Sequence, residues 1–78
     1  MDEKGLVEVI VKKLVDNPDS VQISQVGGER STILELRVDN SDIGKVIGKN
    51  GRIVTAIRTL LHAMAKKTDK RIILEVIE

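Results

Sequence analysis

Ile43-Gly44-Lys45-Val46-Ile47-Gly48-Lys49-Asn50-Gly51-Arg52-Ile53 is the stretch on which the reading turns. Within it, Gly48 and Gly51 enclose Lys49 and Asn50, with aliphatic residues before them and Arg52 after. Upstream, Asp39-Asn40-Ser41 supplies capping residue types ahead of Ile43, Val46 and Ile47, which predicts a short helix that breaks at Gly48. Downstream, Ile53, Ala56, Ile57, Leu60, Leu61 and Met64 recur at helical spacing, which predicts a long helix over residues 52–67. Lys66 and Lys67 complement the negative end of its dipole, and Thr68-Asp69 ends it. The glycine pair therefore sits at a helix N-terminus, where backbone N–H groups lack intrahelical partners and the dipole favours anions. Glycine lets a ligand backbone approach those donors and permits unusual φ values. Lys49 adds a mobile point charge, and Arg52 a planar donor fork. In outline this is a clamp for a phosphodiester.

Other phosphate motifs fit worse. A Walker A loop needs four residues between its glycines and a Ser or Thr after the lysine, whereas Gly44 and Gly48 enclose three residues and Asn50 follows Lys49. The dinucleotide fingerprint fails on the spacing of Gly44, Gly48 and Gly51. A GxxG tetrapeptide alone is equally a tight helix–helix turn. Its order among the elements, with basic residues inside and after it, is what favours a ligand.

Working outward, Leu6, Val9, Ile10 and Leu14 give one face of a helix over residues 3–16, widened by Val7, Val11 and Val15. Asn17-Pro18 stops it. Val21, Ile23 and Gln25 alternate with Gln22 and Ser24 before Gly27-Gly28, and Thr32, Leu34, Leu36 and Val38 lie opposite Glu35 and Arg37. This predicts an antiparallel hairpin of residues 20–26 and 31–39. Ile72, Leu74 and Val76 alternate with Ile73, Glu75 and Ile77 in a last strand. The order is helix, strand, strand, helix, helix, strand. The expected class is α+β, one domain over residues 1–78, with a three-stranded mixed sheet and helices packed on one face.

With 78 residues and 41% hydrophobic content, the chain is near the lower limit for a single core. It has no Cys, so neither disulfides nor a thiolate zinc site can support that core, and the cytosol is the expected compartment. Aromatic content is 0%, which removes base-stacking platforms and membrane-interface belts. No apolar run approaches ~18 residues, and the acidic start Asp2-Glu3 is unlike a secretory leader. The net charge of +1 conceals an asymmetry. Residues 41–71 hold Lys45, Lys49, Arg52, Arg58, Lys66, Lys67, Lys70 and Arg71 against only Asp42 and Asp69, while residues 1–40 are net acidic. A locally positive face fits an anionic partner or a solvated basic helix.

The stretch Val46-Ile47-Gly48-Lys49-Asn50-Gly51-Arg52-Ile53 resembles the signature of the KH domain, and the order of elements resembles its prokaryotic, type II arrangement. The likeness covers nearly the whole chain and extends to the KhpA-like family of small bacterial RNA-binding proteins. It implies that Gly48, Lys49, Asn50, Gly51 and Arg52 hold the backbone of about four single-stranded RNA nucleotides. Ile43, Val46, Ile47 and Val38 would form the aliphatic base groove, with at least two of the four serving as ordinary core, and Lys45 would add an auxiliary phosphate contact. Bases read by backbone and aliphatic contact imply weak sequence selectivity. The resemblance further implies a homodimer, or a heterodimer with a KhpB/Jag/EloR-like KH protein, and links to RNA chaperone activity, cell elongation and peptidoglycan homeostasis. Val54, Arg58, Leu61 and Ala65 are the expected association face, or alternatively flanks of the core.

Catalysis is not expected. His62 is the only histidine and has no metal-ligating companion. Ser20, Ser24, Ser31 and Ser41 fall at strands, turns or a cap without a base at motif spacing. No cofactor, metal or small-molecule substrate is implied, nor a membrane. Two rivals to the RNA clamp stay open: a protein-interaction scaffold with incidental nucleic-acid contact, and single-stranded DNA binding.

Overall fold

The first helix shows how far local signals reach. In the computed structural model, which describes residues 2–78, α1 (Glu3–Leu14) begins where the Asp2 carboxylate accepts the Gly5 N–H at 2.7 Å. Glu3 lies in its first turn and Lys12 and Lys13 in its last, each matching the helix dipole. Its inward stripe is Val7, Val11 and Val15, whereas Leu6, Ile10 and Leu14 are half-buried and Val9 is 42% exposed. Apolar residues cover more than one face of this helix, so packing chooses the stripe.

The hairpin consists of β1 (Gln22–Gly27) and β2 (Ser31–Arg37), antiparallel from Gln22 opposite Arg37 to Gly27 opposite Thr32. Gly28 N–H donates to the Ser31 carbonyl at 2.9 Å to close the turn. Next come α2 (Ile43–Ile47) and α3 (Arg52–Ala65), which form the crossover to β3 (Arg71–Val76). β3 lies parallel to β2, from Ser31 beside Arg71 to Leu36 beside Val76, so the mixed sheet runs β1-β2-β3. A parallel pair needs such a crossover, and both of its helices pack on one sheet face together with α1.

Period-two alternation turns Thr32, Leu34 and Leu36 of β2 and Ile72 and Leu74 of β3 inward. They meet Val7 and Val11 of α1, Val46 of α2, and Val54, Ile57, Leu61 and Ala65 of α3. This corrects the expected stripe of α3. Leu60 is 49% exposed and Ala56 is also exposed, while Leu61 is 1% exposed. Val54, Leu61 and Ala65 are therefore core of the single chain and present no association face. Adjacent residues on a helix lie about 100° apart, so Leu60 and Leu61 cannot share one inward line, and packing on the sheet chooses Leu61. Arg58 is exposed but donates through Nη2 to the Leu74 carbonyl at 2.9 Å, occupying an acceptor on the edge strand β3.

Among the described residues no helix is long and apolar enough to cross a membrane. No group of three His, Cys, Asp or Glu gathers among them to hold a metal ion.

Candidate nucleic-acid interface

The loop between α2 and α3 is built from backbone conformations that few residues tolerate. Gly48 closes α2 by donating its N–H to the Gly44 carbonyl at 2.9 Å, and it does so at φ +77° and ψ 170°. That region is essentially reserved for glycine. A Cβ there would also lie 2.6 Å from Cγ1 of Ile53. Lys49–Gly51 follows as a single 3-10 turn in which Gly51 N–H donates to the Gly48 carbonyl at 3.1 Å and Arg52 N–H to the Lys49 carbonyl. Asn50 (φ +57°) and Gly51 (φ +74°) are both left-handed, a conformation that Asn tolerates better than most residues. Three of four consecutive residues thus have positive φ, and the turn stands out at the start of α3.

The end of α3 that this loop presents carries no competing acceptor. Asp2 caps α1 and Asp39 caps the short turn Asn40–Asp42, whereas α3 is capped by Gly51, with no side-chain cap and no acidic residue in its first turn. The first free N–H groups of α3 and the positive end of its dipole therefore face outward beside the exposed Lys49 and Arg52. Neither of these cations takes part in an ion pair among the described residues. Such an arrangement can accept an oxyanion through backbone and side-chain donors at once.

The other expected residues divide. Ile43, Ile47 and Val38 are half-buried, the last two packed against the core. Val46 is wholly buried, so it belongs to the core and leaves the groove. Lys45 is drawn the other way, with its ammonium 3.2 Å from Asp16 and 3.5 Å from Asp42. The hydrogen bond that Lys45 donates to Asp16 and that residue's charge hold the Lys45 pKa above its ordinary value.

Asp42 is the important residue that the sequence reading counted only as a charge. It is fully inaccessible, and its carboxylate accepts the N–H groups of Asp16 at 3.2 Å and Asn17 at 3.0 Å and the Asn17 amide at 3.1 Å. Burial pushes its pKa up, but these hydrogen bonds and the one from Lys45 together outweigh burial and hold it below the ordinary carboxylate value. Asp42 thereby fastens the exit of α1 to the start of α2, and so fixes the base on which the glycine loop stands. The signal available was its place at the end of a capping cluster; its partners lie about 25 residues away and have no local signature. Asp39, beside it, accepts the Ser41 N–H and hydroxyl at 2.9 and 2.8 Å, and these bonds lower its pKa.

Comparison with known proteins covers the same span. Residues 4–76 match the model of the KhpA/KhpB KH domain. A protein of Clostridium acetobutylicum is 58% identical over 95% of this chain and 99% of its own length. One of Borreliella burgdorferi is 56% identical over 99% and 94%, and one of Aquifex aeolicus 49% identical over 96% and 95%. Each bears the name RNA-binding protein KhpA, which is not the name of an enzyme. By sequence, and by a fold that carries a GxxG turn between α2 and α3, the chain belongs to the KhpA/KhpB family of KH domains.

Proposed function

We propose that this chain binds single-stranded RNA, holding the backbone of about four nucleotides at residues 48–51 and their bases along Ile43, Ile47 and Val38. The observation that carries the reading is the positive-φ turn at a helix N-terminus with no side-chain cap and no acid in its first turn, beside Lys49 and Arg52, which form no ion pair among the described residues. The relatives' name supports RNA as the ligand. Without aromatic residues the site stacks no bases, so selectivity is weak and affinity rests on phosphate contacts. Acting as one KH domain in the cytoplasm, a weak and unselective binder suits RNA chaperone work. Through a KhpB/Jag/EloR-like partner it would reach cell elongation and peptidoglycan homeostasis.

Changing Lys49 and Asn50 both to Asp tests the site, because it keeps the glycines and repels phosphate. Affinity for a short single-stranded RNA falls about tenfold or more and the salt slope flattens, with the thermal transition unchanged. Retained affinity in that folded variant removes the loop from the site. Equal binding of RNA and DNA oligonucleotides of one sequence would mean that the clamp reads only phosphates.

A second reading, a scaffold that joins KH proteins, is favoured by one observation. Leu6, Leu60, Ala63 and Met64 line an apolar depression of about 450 Å³ on the outer side of α1 and α3. Pairing with a second copy or with a KhpB-like chain would use this surface. Leu60→Asp then lowers the apparent mass in sedimentation while leaving the monomer folded; an unchanged mass argues against this surface.

A further inference from the structure

We propose that the far end of α3 holds a second phosphodiester site, formed by Arg30, Lys66, Lys70 and Arg71, which takes the continuation of the RNA strand held at the glycine loop. The inference rests on the RNA-clamp reading and extends it. These four cations surround a depression of about 440 Å³, joined there by His62 and by a single carboxylate, Asp69.

The fold gathers this cluster from three places. Parallel pairing sets Ser31 beside Arg71, and Arg71 N–H donates to the Arg30 carbonyl at 2.8 Å, which brings Arg30, just before β2, against the first residue of β3. After α3 the chain reverses through Asp69, at φ +56°, and returns Lys70 next to Lys66. Four like charges drawn together disfavour the fold unless an anion joins them. The chain's own carboxylates do not: among the described residues ion pairs engage only Lys12 and Lys45, and none of the four.

The ordinary role of lysines at a helix end, satisfying its last carbonyls, is already filled. Lys66 N–H donates to the His62 carbonyl, Lys67 N–H to Met64, and the Thr68 N–H and hydroxyl and the Lys70 N–H all donate to Ala65. The ammonium groups are thus left to solvent. Their place also sets the kind of ligand. A helix of 14 residues puts the cluster about 20 Å from the loop at ~1.5 Å per residue. About four nucleotides are taken up at the loop and its groove, so the phosphates that reach the cluster belong to a longer strand.

The test compares RNAs of about 4 and about 16 nucleotides across a salt series with the full chain, wild type against Lys66→Glu with Lys70→Glu. The pair of substitutions leaves the short RNA's affinity unchanged. It weakens the long RNA about tenfold and makes its salt slope shallower by about 1.4, or ~0.7 per lost contact. Lys66→Gln with Lys70→Gln gives a smaller loss in the same direction, and thermal melts establish that both variants fold. An unchanged long-RNA affinity, or an equal loss for both lengths, overturns the second site while the clamp reading stands. Failure of the wild type to bind either length overturns both.

Discussion

Gly48 and Gly51 look alike in sequence and differ in what they forbid. Gly48 combines a glycine-only conformation with a clash against the Ile53 side chain, so Gly48→Ala costs about 1–3 kcal/mol for the backbone and more for the contact. Gly51 needs only its left-handed φ, because a Cβ there meets nothing nearer than the Thr55 hydroxyl at 4.0 Å. Gly51→Ala should therefore cost about 1–2 kcal/mol and still fold, with a methyl group added at the proposed phosphate site. Denaturant titration checks the order of the two; equal losses would contradict it. Asp42 governs the acid limb. Its folded pKa lies below the unfolded value of 3.8, so its contribution is present above that value and is lost as pH falls through the lower one. Stability should hold from neutral pH towards 4 and decline below it. Asp42→Asn should lower the thermal transition at neutral pH and flatten the acid decline, and an unaltered decline would assign it to other carboxylates. Lys45 works in the opposite sense, its contribution being lost only as pH rises past 10.5.

At the scale of elements, the existence and kind of each α-helix and strand were legible, because apolar spacing, caps and Gly or Pro breaks are local. The short 3-10 turns Pro18–Ser20, Asn40–Asp42 and Lys49–Gly51 were not. Which face turns inward was legible only for β2, where alternation leaves one apolar side, whereas β3 carries aliphatic residues on both. On α1 and α3 the apolar residues exceed one face, and contact with the sheet selected Val7, Val11, Leu61 and Ala65 over Val9 and Leu60. The distinction is measurable in two adjacent leucines. Leu61→Ala should cost about 2–5 kcal/mol by urea denaturation, as for a fully buried leucine, whereas Leu60→Ala should stay within about 0.5 kcal/mol. Similar values for both would mean that α3 is rotated from the orientation described.

Over the whole molecule, the parallel crossover separates two cationic regions by the length of α3. It sets the glycine loop at one end and Arg30, Lys66, Lys70 and Arg71 at the other. Sequence position had placed Arg30 in the acidic half of the chain; the pairing of β2 with β3 moves it into the basic cluster. The same folding removes Lys45 from the positive surface, since Asp16 and Asp42 from separate elements claim it. Charge counted along the chain thus gave the sign of the surface but misplaced some of its members. The two ends predict different behaviour: the loop governs short and long RNA alike, and the distal cluster only long RNA.

By itself, the sequence determined the kinds of element, their order, the α+β class and the glycine turn ahead of a long helix. All of these depend on neighbours within a few residues, through hydrogen-bond caps, backbone sterics and periodicity. Tertiary structure decided what depends on residues far apart: the inward stripe of α3, the burial of Val46, the capture of Lys45, the anchoring of Asp42 by Asp16 and Asn17, and the meeting of Arg30 with Arg71. The physical reason is that side-chain burial and charge pairing are set by which surfaces meet, and the packing of the helices on the sheet settles that only when the chain closes.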